Sequence, residues 1–306
     1  MFLDVGDGHK VYYSEHGTPT GKPVVVLHGG PGGGIQMKVL TFFNLKRWRV
    51  IMFDQRGCGK STTSHDPLYK NTTWDLVADI ERIRTECRID RWVVFGGSWG
   101  TTLALAYADK HMNHISGFVL RGVSLMEPWE NQWLYSPYGA ARLFPEAWNT
   151  FTSVAKNKTK FNRPTNLFRT FKTLVKSGKG SKEWCDWEST LSTLTPKDSS
   201  SDSSDSSDSS KTIQSLALLE IHYFSHNAWI RPGQLLKVAS RIPRSIPVKI
   251  VQGRYDMVCP PFSAIEVARH ISHASLIMTI AGHSAFDREN AVALHKSVDQ
   301  ILKIKI

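Results

Sequence analysis

The feature that most constrains this chain is a turn at residues 96–100, where a serine stands between glycines. A short apolar run, residues 92–95, precedes the turn, and the good helix formers at 101–108 follow it. This order predicts a strand, a sharp turn and a helix. Ser98 at such a turn sits on a strained backbone, its hydroxyl exposed at the sheet edge beside free helix N–H groups. We interpret Ser98 as a candidate nucleophile.

Short β-rich runs alternate with glycine loops and helical segments in the first 120 residues, and the pattern resumes after residue 240. This alternation predicts a mostly parallel central sheet with helices on both faces. The predicted strands are residues 10–15, 23–27, 49–53, 92–95, 117–120, 247–252 and 275–280, with helices at 71–86 and 264–271.

The pattern changes between residues 124 and 240, where tryptophans cluster and helical periodicity dominates. We predict a helical cap at 124–240, inserted into a core made of residues 1–123 and 241–306. Inside the cap, a Ser/Asp run at 198–210 has no apolar side chain to bury and is predicted to be disordered.

Charge and composition limit the other classes of function. Of the net charge of +11, much comes from residues 151–182, which hold nine Lys or Arg and no acid. That run lacks nucleic-acid-binding motifs, so we interpret it as a solvated face and expect neither a nucleic-acid nor a membrane partner. Residues 1–9 show no signal-peptide pattern, which predicts a cytoplasmic protein. The four cysteines have no metal-ligand spacing, so we expect free thiols and no metal.

A serine hydroxyl needs a base to take its proton as it attacks. Asp256 and His283, like Ser98, directly follow predicted strands, and the carboxyl ends of parallel strands share one edge of the sheet. We predict His283 as the base and Asp256 as the acid that orients it, in the chain order of α/β hydrolases. Other acids are assigned structural roles: Asp54 as a loop anchor, Asp79 on a helix surface and Asp287 as a helix cap.

An acyl-transfer site also needs donors for the oxyanion. The glycine-rich loop at residues 28–34 follows a predicted strand and carries few side chains, so its backbone N–H groups can approach a carbonyl. We assign the donors as the amides of Gly30 and Trp99, and interpret His28 as a residue that fixes the loop. Losing one such donor typically costs about 3 to 4 kcal/mol of transition-state stabilisation.

These motifs resemble the prolyl aminopeptidase (proline iminopeptidase) family of α/β hydrolases, the serine peptidases of family S33. The resemblance implies an α/β-hydrolase fold and release of the N-terminal residue, preferably proline, from short peptides through an acyl-enzyme. It implies no metal or cofactor, and small peptides with a free N-terminus as partners. The matching segments are residues 28–34, 54–61, 96–108, 120–122, 253–256 and 281–284.

The resemblance also assigns residues that bind substrate. In the family, one glutamate follows a tryptophan and another precedes His-Tyr-Phe, and these positions match Glu188 and Glu220. Such a pair would bind the substrate ammonium through charge-assisted hydrogen bonds. Arg121 and Cys259 match two further positions at the substrate pocket.

Two departures leave alternatives open. Ser124 and Leu134 stand where family members usually carry aromatic residues that shape the proline pocket. The same triad could therefore serve an esterase, an amino-acid ester hydrolase or a broader aminopeptidase. A non-catalytic ligand-binding protein of the same fold is the remaining alternative.

Overall fold

In this computed structural model, the described residues are 1–155, 161–194 and 206–304, and in them nine strands form one sheet. The order is β1-β2-β4-β3-β6-β7-β8-β9, with β5 paired to β2. The pairings of β2 are antiparallel, and all pairings from β4 onward along this order are parallel. The strands are β1 Phe2–Gly6, β2 His9–Gly17, β3 Lys22–Leu27, β4 Trp48–Phe53, β5 Thr62–Thr63, β6 Trp92–Gly97, β7 Ile115–Arg121, β8 Val248–Gly253 and β9 Ser275–Thr279.

The helices flank the sheet, and those from α3 to α8, here named the cap helices, lie between β7 and β8. The helices are α1 Thr73–Glu86, α2 Trp99–His111, α3 Pro128–Leu134, α4 Pro145–Thr152, α5 Pro164–Lys176, α6 Ser181–Ser192, α7 Ser206–Ser225, α8 Gln234–Ala239, α9 Pro261–His270 and α10 Arg288–Lys303. Short 3₁₀ turns stand at Met37–Phe42, Met112–His114, Ala140–Arg142 and Asn227–Trp229.

The mostly parallel sheet predicted from the sequence is confirmed, and every predicted strand is present with bounds within two residues. The central strands β6 and β7 are buried nearly throughout because helices cover both faces. One apolar cluster joins the sheet to α1, α2, α9 and the cap helices, and a second lies under α10.

Helix α1 shows how local sequence sets a boundary. Thr72 is its N-cap, and the side chains of Thr72 and Asp75 satisfy each other's backbone N–H groups in a capping box. The expectation that Asp79 lies on a helix surface is wrong. Its carboxylate is buried and accepts two hydrogen bonds from Arg56, at 2.6 and 2.8 Å.

The cap helices have an aromatic core of their own. Phe151 stacks on Trp187 with ring centroids 5.6 Å apart, and Tyr135 stacks on Trp184 at 4.8 Å. Apolar faces of short helices are thereby buried against one another, which compensates for their limited individual stability.

Several side-chain hydrogen bonds tie the cap helices and their connections to the rest of the chain, among them three from Thr73, Trp74 and Ser215. The hydroxyl of Thr73 donates to the carbonyl of Ala228 at 2.6 Å, and the indole of Trp74 donates to that of Trp229 at 3.1 Å. Ser215 on α7 donates to the carbonyl of Gly57 at 2.7 Å. The first turn of α1 and the loop before it therefore anchor this region.

The Ser/Asp run is only partly covered by the structure. Residues 198–205 lie outside the described residues, so the predicted disorder is not tested there. Helix α7 begins at Ser206, so residues 206–210 are helical where the sequence suggested disorder. These residues form the first turn of a long helix whose later turns pack in the core. Once the packed turns are helical, adding further helical residues at the polar end costs little.

Among the described residues, no helix combines the length and the apolar character that crossing a bilayer requires.

Candidate active site

Ser98 sits at a strained turn between β6 and α2, with φ 57° and ψ −128°. The flanking glycines are sterically required. A Cβ on Gly96 would lie 2.4 Å from the carbonyl oxygen of Gly100, and a Cβ on Gly100 would lie 2.1 Å from that of Leu27. The predicted strand, turn and helix are all present, and the turn can close only because these positions lack side chains.

His283 and Asp256 form a buried pair at the ends of β9 and β8. Nδ1 of His283 lies 2.8 Å from Oδ2 of Asp256. The same carboxylate accepts hydrogen bonds from the amides of Val258 and Cys259, at 3.0 and 2.8 Å, and from the Gln252 side chain at 3.1 Å. These four bonds fix the carboxylate, and an Nδ1–H donor directed at it leaves Nε2 as the basic nitrogen of the ring.

The Nε2 atom of His283 faces a guanidinium. Nη1 of Arg121 lies 3.2 Å from Nε2 and donates at 2.7 Å to the carbonyl oxygen of His283. Within the described part of the chain, the Ser98 hydroxyl contacts the side chain of Cys259, with Oγ and Sγ 3.9 Å apart. Catalytic hydrogen bonds are often absent or long before substrate binds, so these contacts are compatible with the predicted roles of Ser98 and His283.

The glycine-rich loop after β3 packs directly against Ser98. A Cβ built on Gly29 would lie 3.3 Å from Cβ of Ser98 and 3.8 Å from its hydroxyl oxygen. Gly30 follows with φ +108°, a conformation that favours glycine. Trp99 opens α2, so its amide has no acceptor within the helix. The assignment of the Gly30 and Trp99 amides as oxyanion donors stays a prediction.

His28, Asp54 and Cys58 form a buried group whose potential ligand atoms lie within 4.8 Å of one another. Hydrogen bonds already occupy these atoms. Asp54 accepts from the amides of Ile35 and Lys60, at 2.7 and 2.8 Å. Nε2 of His28 accepts from the amide of the residue after Asp54, at 3.1 Å. We therefore interpret the group as a structural contact that holds the loops at 28–34 and 54–61 together.

Glu188 on α6 and Glu220 on α7 form a neighbouring acid pair, in which Glu220 is buried and Glu188 is partly buried. The hydroxyl of Tyr135 donates to Glu188, and the indole of Trp184 donates to Glu220 at 2.6 Å. Burial raises the pKa of both acids, and the charge of Glu188 raises that of Glu220 further. The pair therefore retains a proton at a pH at which an exposed pair would lose it.

One cavity of about 1160 Å³ joins these groups. Every candidate site residue named from the sequence except Asp256 lines it, and Asp256 contacts it through His283. The shared lining is Ser98, His283, Gly30, Trp99, Glu188, Glu220, Arg121 and Cys259, together with Ser124 and Leu134.

Comparison with known proteins decides the family. The α/β hydrolase fold family matches residues 22–289. A proline iminopeptidase of Xylella fastidiosa is 41% identical over 304 residues, covering 98% of this chain and 95% of the relative. One of Neisseria gonorrhoeae is 41% identical over 309 residues, with the same two shares. The chain belongs to the proline iminopeptidase family of α/β hydrolases.

Relatives in this family extend to plants. A proline iminopeptidase of Arabidopsis thaliana is 39% identical over 291 residues, covering 92% of this chain and 74% of the relative. Solved structures agree on the fold. An α/β hydrolase from a deep-sea metagenome library superposes with a TM-score of 0.68 at 15% identity, covering 100% and 98% of the two chains. An esterase from Exiguobacterium antarcticum gives 0.65 at 18% identity, with 98% of each chain covered.

Sequence reasoning missed several groups that shape the site of this family member. Trp184 stands one helical turn before Glu188, and that spacing could have suggested a shared face. Glu130 lines the cavity and accepts hydrogen bonds from two backbone amides and from Ser263, while burial raises its pKa to about 7. Nothing local in the sequence distinguishes Glu130 from a surface acid.

Proposed function

We propose that the chain is a prolyl aminopeptidase, which releases the N-terminal residue, preferably proline, from short peptides through an acyl-enzyme on Ser98. Full-length similarity to proteins named proline iminopeptidases supports the proposal. The single observation that carries it is the acid pair, Glu188 and Glu220, in the same cavity as Ser98. A site for neutral esters has no use for two neighbouring carboxylates.

In the proposed acylation step, the Ser98 hydroxyl attacks the scissile carbonyl while Nε2 of His283 takes its proton. Asp256 holds the other ring nitrogen and stabilises the imidazolium that forms. The amides of Gly30 and Trp99 would donate to the oxyanion. His283 then protonates the leaving amine, and water hydrolyses the acyl-enzyme by the reverse sequence of proton transfers.

The acid pair would bind the substrate amine. A secondary or primary ammonium replaces the proton held between Glu188 and Glu220 and gains charge-assisted hydrogen bonds. The donors from Tyr135 and Trp184 keep the two carboxylates in place during this exchange. We further propose that residues 124–240 act as a cap over the core and limit access to small peptides.

Two cavity residues favour a broader aminopeptidase as the second candidate. Ser124 and Leu134 both line the cavity. At these positions the family pattern places aromatic side chains, so smaller residues here would leave the acyl side of the pocket wider. The same triad and acid pair would then accept residues larger than proline.

The test is hydrolysis of proline, alanine and leucine naphthylamides, beside N-acetylprolyl naphthylamide and a simple acyl ester. The proposal expects a strong preference for the free proline amine and no turnover by Ser98→Ala. Comparable turnover of leucine would favour the broader aminopeptidase. Ester hydrolysis that is indifferent to a free amine would replace both with an esterase.

A further inference from the structure

Arg121 has no carboxylate in direct contact. Among the described residues it makes no ion pair within 4.0 Å, and its Nε is enclosed without a hydrogen-bond partner. The buried Arg56 shows the usual arrangement, with Asp79 at 2.6 Å. The side chain of Arg121 is partly buried, and the charge of Asp256 acts on it from the opposite nitrogen of His283. An enclosed guanidinium N–H without an acceptor is costly to the fold, which points to an acceptor supplied from outside.

The guanidinium lies beside the nucleophile. It packs against Gly97, the residue before Ser98, so closely that a Cβ there would lie 2.6 Å from its Nη2. Its Nη1 reaches His283, as described above. The cation therefore lies at the junction of nucleophile and base, and Arg121 also lines the cavity.

Apolar side chains also line this cavity. Val26, Met52 and Phe95 line it from the face of the sheet that α10 covers. Arg121 is the one Lys or Arg among the lining residues that the structure describes, whereas the lining acids, the pair and Glu130 among them, lie on the cap helices. The cavity thus holds acids on the cap helices and a cation at the end of β7, a charge pattern that complements a small zwitterion.

We propose that Arg121 binds the α-carboxylate of the residue released from a dipeptide, so that free dipeptides are the preferred substrate class. This inference rests on the proposed function. His283 must contact the leaving nitrogen in order to protonate it, so the released residue lies against His283 and its neighbour Arg121. In a dipeptide the carboxylate is only two covalent bonds from that nitrogen.

Binding of the carboxylate also prepares the base. A carboxylate is a stronger acceptor for a guanidinium than a neutral imidazole nitrogen. When it engages Arg121, the contact between Nη1 and Nε2 of His283 gives way, and Nε2 becomes available to Ser98. Substrates that lack the carboxylate have to displace the guanidinium without this compensation.

The experiment compares kcat/KM for prolyl-alanine and prolyl-alanine amide, which differ only in the carboxylate, with proline naphthylamide as a reference. The wild-type enzyme is expected to favour the acid by about tenfold or more, the usual size of a charge-assisted contact. In Arg121→Met the ratio should fall close to one, and Arg121→Lys should retain part of it. Both kcat/KM values in each ratio are measured on the same protein sample. A loss of folded protein lowers both values equally and leaves the ratio unchanged.

A wild-type ratio near one would overturn the inference while leaving the aminopeptidase intact, since proline naphthylamide would still be cleaved. A ratio that persists in Arg121→Met would also overturn it, because another group would then read the carboxylate. If the wild type cleaved none of the three prolyl substrates, the proposed function itself would fail, and this inference with it.

Discussion

The indole nitrogen of Trp184 donates a 2.6 Å hydrogen bond to Oε2 of Glu220, and both side chains are buried. Trp184 and Glu188 lie one turn apart on α6, whereas Glu220 comes from α7. One helix thus supplies both an acid of the pair and the donor that orients the other acid. The spacing of the two carboxylates therefore depends on how α6 packs against α7.

Replacing Trp184 with Phe should weaken amine binding without touching the triad. The indole donor stabilises the charged form of Glu220, and its loss raises the pKa of that acid further. We expect KM for proline naphthylamide to rise about tenfold with a smaller change in kcat, since one charge-assisted hydrogen bond is lost. An unchanged KM, measured by steady-state kinetics, would argue against this role for the indole.

Neutralising either acid should separate two substrate classes. Glu188→Gln or Glu220→Gln is expected to lower kcat/KM for free-amine substrates by about 100-fold or more, while N-blocked esters lose little. Glu266→Gln, which removes a surface ion pair with Arg269, serves as the matched control and should change neither. Equal losses on both classes would contradict the anchoring role.

The same Glu220→Gln variant should be more stable than the wild type at alkaline pH. Burial raises the pKa of Glu220 above its unfolded value, so the stability of the neutral acid is complete at low pH and is lost as pH rises through the raised pKa. Glutamine stays neutral throughout. The difference in Tm should therefore vanish near pH 4.5 and grow as the pH rises through neutral into the alkaline range. Thermal melts across that range test this, with Glu266→Gln expected to follow the wild type.

Ser98→Gly should be more stable than Ser98→Ala. The φ of 57° at this residue strains any side chain that carries a Cβ, and glycine removes the strain. We expect a difference of about 1 kcal/mol in the free energy of unfolding, measured by urea denaturation. Both variants should be inactive on proline naphthylamide. A less stable glycine variant would show that the turn imposes no strain.

Ser124→Phe should sharpen the preference for proline. The backbone of Ser124 is fixed by Thr101 and Thr102, at 3.0 and 2.8 Å, so a larger side chain has to extend into the cavity. Leucine naphthylamide should lose several-fold more kcat/KM than proline naphthylamide. Ser124→Ala, which adds no volume, should leave the ratio of the two substrates as it is in the wild type.

The sheet and the positions of Ser98, Asp256 and His283 were predictable because each rests on local patterns. Apolar runs mark the strands, glycines mark the turns, and the ends of parallel strands meet at one edge. The turn at Ser98 is the clearest case, since the need for glycine at Gly96 and Gly100 is visible in five residues of sequence.

Contacts between distant segments were not predictable. Asp79 is a charged residue on the face of α1 that also carries Leu76 and Ile83, and Arg56 from the preceding loop lies against it inside the core. Arg121 contacts His283 because of the path that the loop after β9 takes. The two residues are 162 positions apart in the chain. No periodicity encodes such a distance, so the identity of Arg121 could be anticipated but not its partner.

The hydrogen bonds from Thr73, Trp74 and Ser215 join the chain at Ala228, Trp229 and helix α7 to the core. If these bonds persist in solution, the opening to the cavity would have a constant size. Peptides would then be sorted by whether they fit through an opening of constant size, and the released amino acid would leave by the way it came. The upper limit on substrate length would be set by the rigidity of the rim, independently of the chemistry beneath it.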